Sequence, residues 1–466
     1  MPQETKRTEQ AIEQLRAGLR GTPYEGRVYL VGGYVRDKLL GKPLPNDLDL
    51  VLEDNALELA QWLYEHGIAK HAPVVYPRFG TAMVTVAGVP IELVTARAES
   101  YHAESRKPAQ VQPASLGEDA LRRDFTINTL LENLHTGEII DPLGKALPDL
   151  QARLIRTPRD PKATFFEDPL RMLRAVRFAV QLGFEIEPET YQAICEDAHR
   201  LAIISKERIR DEFTKMLEQP DAARGLQMLL DTGLLKEFAQ PLLPMVGCTQ
   251  NRYHQYDVWT HSLKAVEALG ASADWELRLA TLLHDVGKPA TRTVDEHGEV
   301  HFYGHARVGA EIARQWLREM KYPNTTIERV CKLVELHMRP GEYTPRWSDA
   351  AIRRLIRDAG ELLEALLQLA EADMKAQRAD MPHTDLNALR ERIARIRASE
   401  DTRRWQSPLT GEELMHHFGL KPGPLIGKLK AALTEQVLEG RLTPDDKARA
   451  LQIAQELLHQ WQASRS

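Results

Sequence analysis

The sequence predicts a multidomain α+β protein, a small α/β domain at the N-terminus followed by a long, mostly helical remainder. Three observations predict it. At 466 residues, and with roughly 150 residues per domain, the chain has room for about three domains. Runs with strand character gather near the start, at Val28–Leu30, Leu48–Leu52, Thr81–Val86 and Ile91–Thr95. From about residue 151 onward, Leu-, Ala-, Arg- and Glu-rich segments recur at helical period instead.

Taken in order, residues 9–20 read as a short amphipathic helix, and Val28–Leu30 runs as a strand into Gly32-Gly33. A helical pattern at Leu57–His66 separates the second strand from the third, and the α/β domain closes near Pro148. Residues 241–257, Pro-rich and polar, mark a boundary in the helical part. A histidine-studded block follows from 258 to about 380, then a linker-like stretch at 399–411. A last helical module begins near Leu409 and carries the turn Gly419-Leu420-Lys421-Pro422-Gly423-Pro424. The expected domains are 1–150, 151–245, 246–385 and 386–466.

Composition limits the function classes. Lys+Arg 61 against Asp+Glu 67 gives a net charge of −6, so any nucleic acid must be held by local basic patches rather than a basic coat. Apolar residues at 43% and charged residues at 27% describe a globular chain, not a disordered one. No run approaches the roughly 20 apolar residues that span a bilayer, and the N-terminus is polar. The expectation is a cytoplasmic protein with no membrane partner. Cys195, Cys248 and Cys331 are odd in number and far apart, which suits buried reduced thiols rather than a disulfide framework or zinc motif.

Two constellations carry chemistry. In the first, Gly32 and Gly33 lie between a strand and a helix start, where backbone without Cβ atoms can approach a polyphosphate and Arg36 can reach the same phosphates. Asp47 and Asp49 flank Leu48, so on a strand both point to one face. Two hard carboxylates side by side suit Mg²⁺, and Glu92 on a later strand is a candidate third. Arg122-Arg123-Asp124-Phe125 and Glu167-Asp168-Pro169-Leu170-Arg171 follow downstream. Asp168-Pro169 also reads as a helix cap with proline at the first helical position. Arg171, Arg174 and Arg177 form a stripe at spacing three, which reads either as a solvated face or as a nucleotide contact.

Together, these motifs resemble the class II tRNA nucleotidyltransferases, the CCA-adding enzymes and their bacterial poly(A) polymerase relatives, over roughly residues 25–240. Tyr34 and Thr129 depart from the alanines common there. The resemblance implies a polymerase β-type nucleotidyltransferase head with a helical neck and body. It implies Mg²⁺ on Asp47 and Asp49, with Glu92 catalytic beside them. Nucleotide binding would fall to Gly32, Gly33, Arg36, Arg123, Asp124, Asp168, Arg171, Arg174 and Arg177. The implied partners are tRNA, CTP and ATP. An aspartate accepts and an arginine donates, so Asp168 and Arg171 can meet the amino group and ring acceptor of cytosine or adenine, whereas uracil or guanine leaves buried polar groups unpaired. Relatives that add only CC lack a flexible loop ahead of the Arg-Arg-Asp motif. The polar stretch after Thr95 is long enough to be that loop, which argues against a CC-only enzyme. It leaves full CCA addition, A addition and poly(A) synthesis open.

In the second constellation His261, His284-Asp285, His305, His337 and Asp373 resemble the HD superfamily of phosphohydrolases over about 254–375. The resemblance implies an all-α HD domain that binds a divalent transition metal of unspecified identity and hydrolyses phosphate esters. The module from Leu409 reads as a capping helical hairpin or as an RNA-backbone grip through Lys428 and Lys430. Two other classes compete. An alarmone synthetase–hydrolase joins the same two blocks in the opposite order, and a non-catalytic RNA-binding scaffold has no need of a carboxylate pair.

Overall fold

The computed structural model describes residues 3–102, 105–250, 255–377, 383–399 and 405–463. It divides the chain into two compact units, one of residues 1–243 with 319–321 and one of the remaining residues from Pro244 to Ser466.

The first unit holds a mixed seven-stranded sheet in the order β3-β4-β5-β2-β1-β8-β9. Its strands are β1 (Tyr29–Val31), β2 (Leu48–Leu52), β3 (Val74–Tyr76), β4 (Thr81–Val86), β5 (Val89–Thr95), β8 (Leu131–Asn133) and β9 (Ile139–Ile140). Only β2 and β5 pair in parallel, and this places Asp49 opposite Glu92. Leu48, Leu50, Val51 and Leu52 are all buried, so β2 lies inside the sheet with its polar positions confined to the end near Asp47. The N-terminal helix is longer than the 9–20 expected, running Gln3–Leu19, because the buried stripe of Ala11, Ile12, Leu15 and Leu19 continues toward the N-terminus through the polar but buried Thr8 and Thr5.

The polar stretch after Thr95 is not an open loop. It forms a separate antiparallel hairpin of β6 (Arg97–His102) and β7 (Ser105–Pro113). Pro113 stands at the strand end, where a missing N–H costs little. The sheet is followed by helices, among them Pro161–Glu167, Leu170–Leu182 and Lys206–Leu217. After residue 151 strand is confined, among the described residues, to two-residue pieces, and Leu154–Ile155 pairs with Glu185–Ile186.

Among the described residues the second unit is helical, apart from a small hairpin of Thr293–Val294 and Val300–His301. The helices Val258–Ala268, Trp275–Leu283, Asn324–Leu336 and Leu363–Lys375 carry the histidine-rich block. The C-terminal helices Gly411–Phe418, Pro424–Leu438 and Lys447–Ala463 close on a cluster of their own, with Leu414, Leu429, Leu433 and Ala450 fully buried. Of the cysteines only Cys331 is buried, while Cys195 and Cys248 are half-buried; all three are free thiols.

Candidate active sites

A cleft of about 470 Å³ in the first unit is lined by Gly32, Gly33, Arg36, Asp47, Asp49, Arg123, Asp124, Asp168, Arg171, Arg174 and Arg177. Asp47 and Asp49 share this face, as a strand period of two requires. Gly32 has a φ of 77°, which favours glycine. A Cβ there would stand 3.4 Å from Asp49 Oδ2, so the turn is laid against the carboxylate. Burial, and then the neighbouring charge of Glu92, push the Asp49 carboxyl up to about 6. Glu92 stands beside Asp49 but does not line the cleft. Among the described residues Asp47, Asp49 and Glu92 do not converge within 4.8 Å of one another.

The cleft's arginines are held by acidic partners. Arg174 donates from Nε (2.9 Å) and Nη2 (2.6 Å) to Asp124 Oδ2, and Asn128 donates to Oδ1 at 3.1 Å. Burial opposes the charge on Asp124, but Arg174 and Asn128 outweigh it and hold the carboxyl at about 2. Arg177 donates to Glu212 at 2.6 Å. Arg122 (2.8 Å) and Arg123 (3.0 Å) both pair with Asp119. The stripe Arg171/Arg174/Arg177 is therefore a cleft wall rather than a solvated face.

Three of the expected site residues already have partners within the chain. Arg36 is no free arm: it is 3% exposed, with Nε donating to Asp37 and Nη1 to Asn128, each at 2.8 Å. Asp168 stands just before the helix that carries Arg171, where its Oδ1 accepts from Leu170 N–H at 3.1 Å. The capping geometry is thus real, and the other oxygen faces Arg208 at 3.4 Å across the cleft. Arg171 donates to the carbonyls of Thr164 (3.1 Å) and Arg122 (2.6 Å) and to Glu167 (3.1 Å). These bonds tie three segments together and leave fewer donors for a base.

The second unit brings all six histidine and aspartate candidates together, as two trios of potential ligand atoms: His261, His284 and Asp373, and Asp285, His305 and His337. Asp285 joins them, with Oδ2 3.1 Å from His284 Nε2 and Oδ1 3.3 Å from His305 Nε2. All four imidazoles turn Nδ1 toward a backbone carbonyl: His284 to Thr281 (2.6 Å), His337 to Val334 (2.7 Å), His305 to Phe302 (2.9 Å) and His261 to Ala376 (3.4 Å). A proton on Nδ1 leaves Nε2 as a lone pair aimed inward, the arrangement a metal ligand needs. Burial and the neighbouring His284 drive His337 down to about 4. Asp285 and Asp373 outweigh burial at His284 and push it up to about 10, so this pocket calls for positive charge. His284 Nε2 and Asp285 Oδ2 are buried with no hydrogen bond of acceptable direction. Lys288 Nζ approaches that oxygen at 2.7 Å, and the two converging trios of nitrogen and oxygen donors fit a divalent metal.

Family models match the chain as the Poly A polymerase head domain over residues 28–156, the probable RNA and SrmB-binding site of polymerase A over 183–245, and the HD domain over 252–381. An A-adding tRNA nucleotidyltransferase of Deinococcus radiodurans is 38% identical over 72% of this chain and 79% of its own. A CC-adding tRNA nucleotidyltransferase of Thermus thermophilus is 34% identical over 90% of this chain and 92% of its own. The chain belongs to the tRNA nucleotidyltransferase family. Among solved structures, the Bacillus stearothermophilus CCA-adding enzyme in complex with CTP matches with a TM-score of 0.65 and 26% identity, covering 99% of this chain and all of that one.

As a tRNA nucleotidyltransferase the chain is an enzyme, and its family implies dependence on a divalent metal. The oxygen donors of Asp47 and Asp49, with Asp49 raised by burial and then by the charge of Glu92, fit a hard dication in the head. Sequence reasoning missed the residues that hold the cleft in shape. Asp119 stands only three and four residues ahead of its partners Arg122 and Arg123, whereas Arg208 lies 40 residues from Asp168 and Glu212 lies 35 residues from Arg177. Lys288 was missed too: its Nζ lies 2.7 Å from Asp285 Oδ2 and donates to Gln250 at 2.7 Å. Among the described residues no helix is long and apolar enough to cross a membrane.

Proposed function

We propose that the head adds CMP and AMP without a template to the 3′ end of tRNA in the cytoplasm, building CCA and releasing pyrophosphate. The observation that carries this is the single cleft in which Asp47 and Asp49 face Arg123, Asp124, Arg174 and Arg177. A carboxylate pair opposite cations is what transfer of a nucleotidyl group demands of a protein. Asp47 and Asp49 would hold Mg²⁺, which lowers the pKa of the attacking 3′-hydroxyl and offsets charge on the α-phosphate and the leaving pyrophosphate. Arg123 and Arg174 supply fixed positive charge to the triphosphate. Asp124 and Glu212 keep Arg174 and Arg177 in place while the cleft is empty, so they need no reorganisation when the nucleotide arrives. Asp168 presents its Oδ2 to a cytosine or adenine amino group, with Arg208 beside it.

We assign the six histidine and aspartate ligands to a divalent transition metal centre with phosphohydrolase activity, on a 2′,3′-cyclic phosphate or phosphomonoester. In that reaction a water oxygen bonds to phosphorus, one P–O ester bond breaks and the freed oxygen takes a proton.

Nucleotide addition in Mg²⁺, resolved on a sequencing gel, tests the head. The substrates are tRNAs ending at the discriminator base, at C and at CC, with CTP, ATP or both. Growth of all three to CCA and no further is the expected result. One A added only to the CC-ending tRNA would instead match the activity named for the Deinococcus relative, and a long A ladder would make the chain a poly(A) polymerase.

A further inference from the structure

We propose that Tyr303 is a base-stacking platform at the mouth of the histidine-lined cavity, so that this site takes phosphate esters carrying a nucleobase. The inference rests on the phosphohydrolase reading of that site.

The cavity, about 370 Å³, is lined by ligands Asp285, His305, His337 and Asp373 and, at its rim, by His301 and Tyr303. Tyr303 is 76% exposed, the most exposed large apolar side chain among the described residues. An aromatic ring left in water beside a polar site is an unspent surface. It is nevertheless held in place. His301 stacks on it, with centroids 5.2 Å apart and planes 10° from parallel, and the Tyr303 hydroxyl donates to His301 Nδ1 at 3.3 Å. His301 Nε2–H in turn donates to Asp295 Oδ2 at 2.8 Å, which fixes the tautomer that lets Nδ1 accept. The result is a three-residue brace, Asp295–His301–Tyr303, on the small hairpin.

One face of the tyrosine ring is therefore backed and the other is open, two residues from the metal ligand His305. A ring fixed in this way loses little side-chain entropy when a planar group stacks on it. Stacking on an aromatic is available to every base, since each has a π-face. Nothing in the brace selects one base from another. The platform distinguishes a nucleoside phosphate from a phosphate ester without a base.

The test uses the full chain loaded with Mn²⁺ or Ni²⁺ and two substrates, adenosine 2′,3′-cyclic phosphate and, as a base-free control, ribose 5-phosphate. Tyr303→Ala is expected to raise KM for the cyclic nucleotide about tenfold while ribose 5-phosphate turnover stays within twofold, and Tyr303→Trp to restore the KM. Equal loss on both kinds of substrate, or no loss on either, overturns the platform. If the wild type hydrolyses nothing, the phosphohydrolase reading fails, and calorimetry still decides this proposal. Weaker binding of adenosine 2′-monophosphate by Tyr303→Ala, with inorganic phosphate binding unchanged, supports it; equal binding by wild type and variant overturns it. Unchanged bound metal by elemental analysis serves as the folding control for the second unit.

Discussion

The two sites solve the problem of concentrated charge in opposite ways. In the head, every arginine on the cleft wall has an acidic partner, so positive charge is stored as ion pairs, and the carboxylates Asp47, exposed, and Asp49, half-buried, share the same cleft. In the histidine cluster the acids Asp285 and Asp373 are packed among four imidazoles, and the one ammonium in contact with Asp285 is that of Lys288 among the described residues. The head is built to receive an anionic substrate together with its cation. The histidine cluster is built around a cation and meets its substrate at the rim. An anion-binding wall can be assembled from long side chains braced at the surface, whereas a cation hole needs short ligands and a fixed backbone.

The comparison breaks first on Asp47→Ala. Nucleotide addition should fall on the order of 10³-fold or more with phosphate-ester hydrolysis unchanged; parallel loss of both would mean the sites are not independent. His284→Ala or Asp285→Ala should do the reverse, abolishing hydrolysis and bound transition metal by elemental analysis, while CCA addition stays within twofold. Retained metal in both variants would sink the ligand assignment.

A smaller effect probes the ion-pair frame. Glu212→Gln leaves the buried Arg177 without its counter-charge, and breaking such a pair costs about 3 kcal/mol, read as a fall in chemical-denaturation stability of the first unit. An unchanged midpoint would show that Arg177 is not held by that pair. The smallest effect is pH-dependent. The Asp49 carboxyl sits at about 6, above its ordinary value of 3.8, so the folded head binds a proton more tightly than the unfolded chain. Its contribution is full below about pH 4 and is lost as pH rises through 6. In EDTA, Asp49→Asn should therefore raise the melting temperature at pH 7.5 by about 2–4 °C, with no gain at pH 4. Mg²⁺ should shrink the difference, since it favours the ionised wild type.

The sequence is most informative where alternation and burial coincide. β2 and β4 carry the bounds expected of them, Leu48–Leu52 and Thr81–Val86, because their apolar residues face a covered sheet. β3 is illegible for the contrary reason: Val74, Val75 and Tyr76 are all exposed, so no burial pattern distinguishes it. The β6–β7 hairpin is hidden by polar composition and proline. Among site residues, contiguous motifs are visible and their braces are not. Asp124 can be read from Arg-Arg-Asp, but Arg174, 50 residues on, is its partner only through packing. Arg36 looks like a phosphate ligand in one dimension, and only the structure shows Asp37 and Asn128 occupying it.

Three of the four inward imidazoles lean on the carbonyl three residues earlier in the chain, Thr281 for His284, Phe302 for His305 and Val334 for His337. Each ligand is therefore aimed by its own local turn rather than by a distant support. A substitution within such a turn leaves the carbonyl and the aim intact. Inserting one residue ahead of it in the helix Trp275–Leu283 would carry His284 and its carbonyl together through about 100°. This chemistry is insured against changes of spelling and exposed to changes of length.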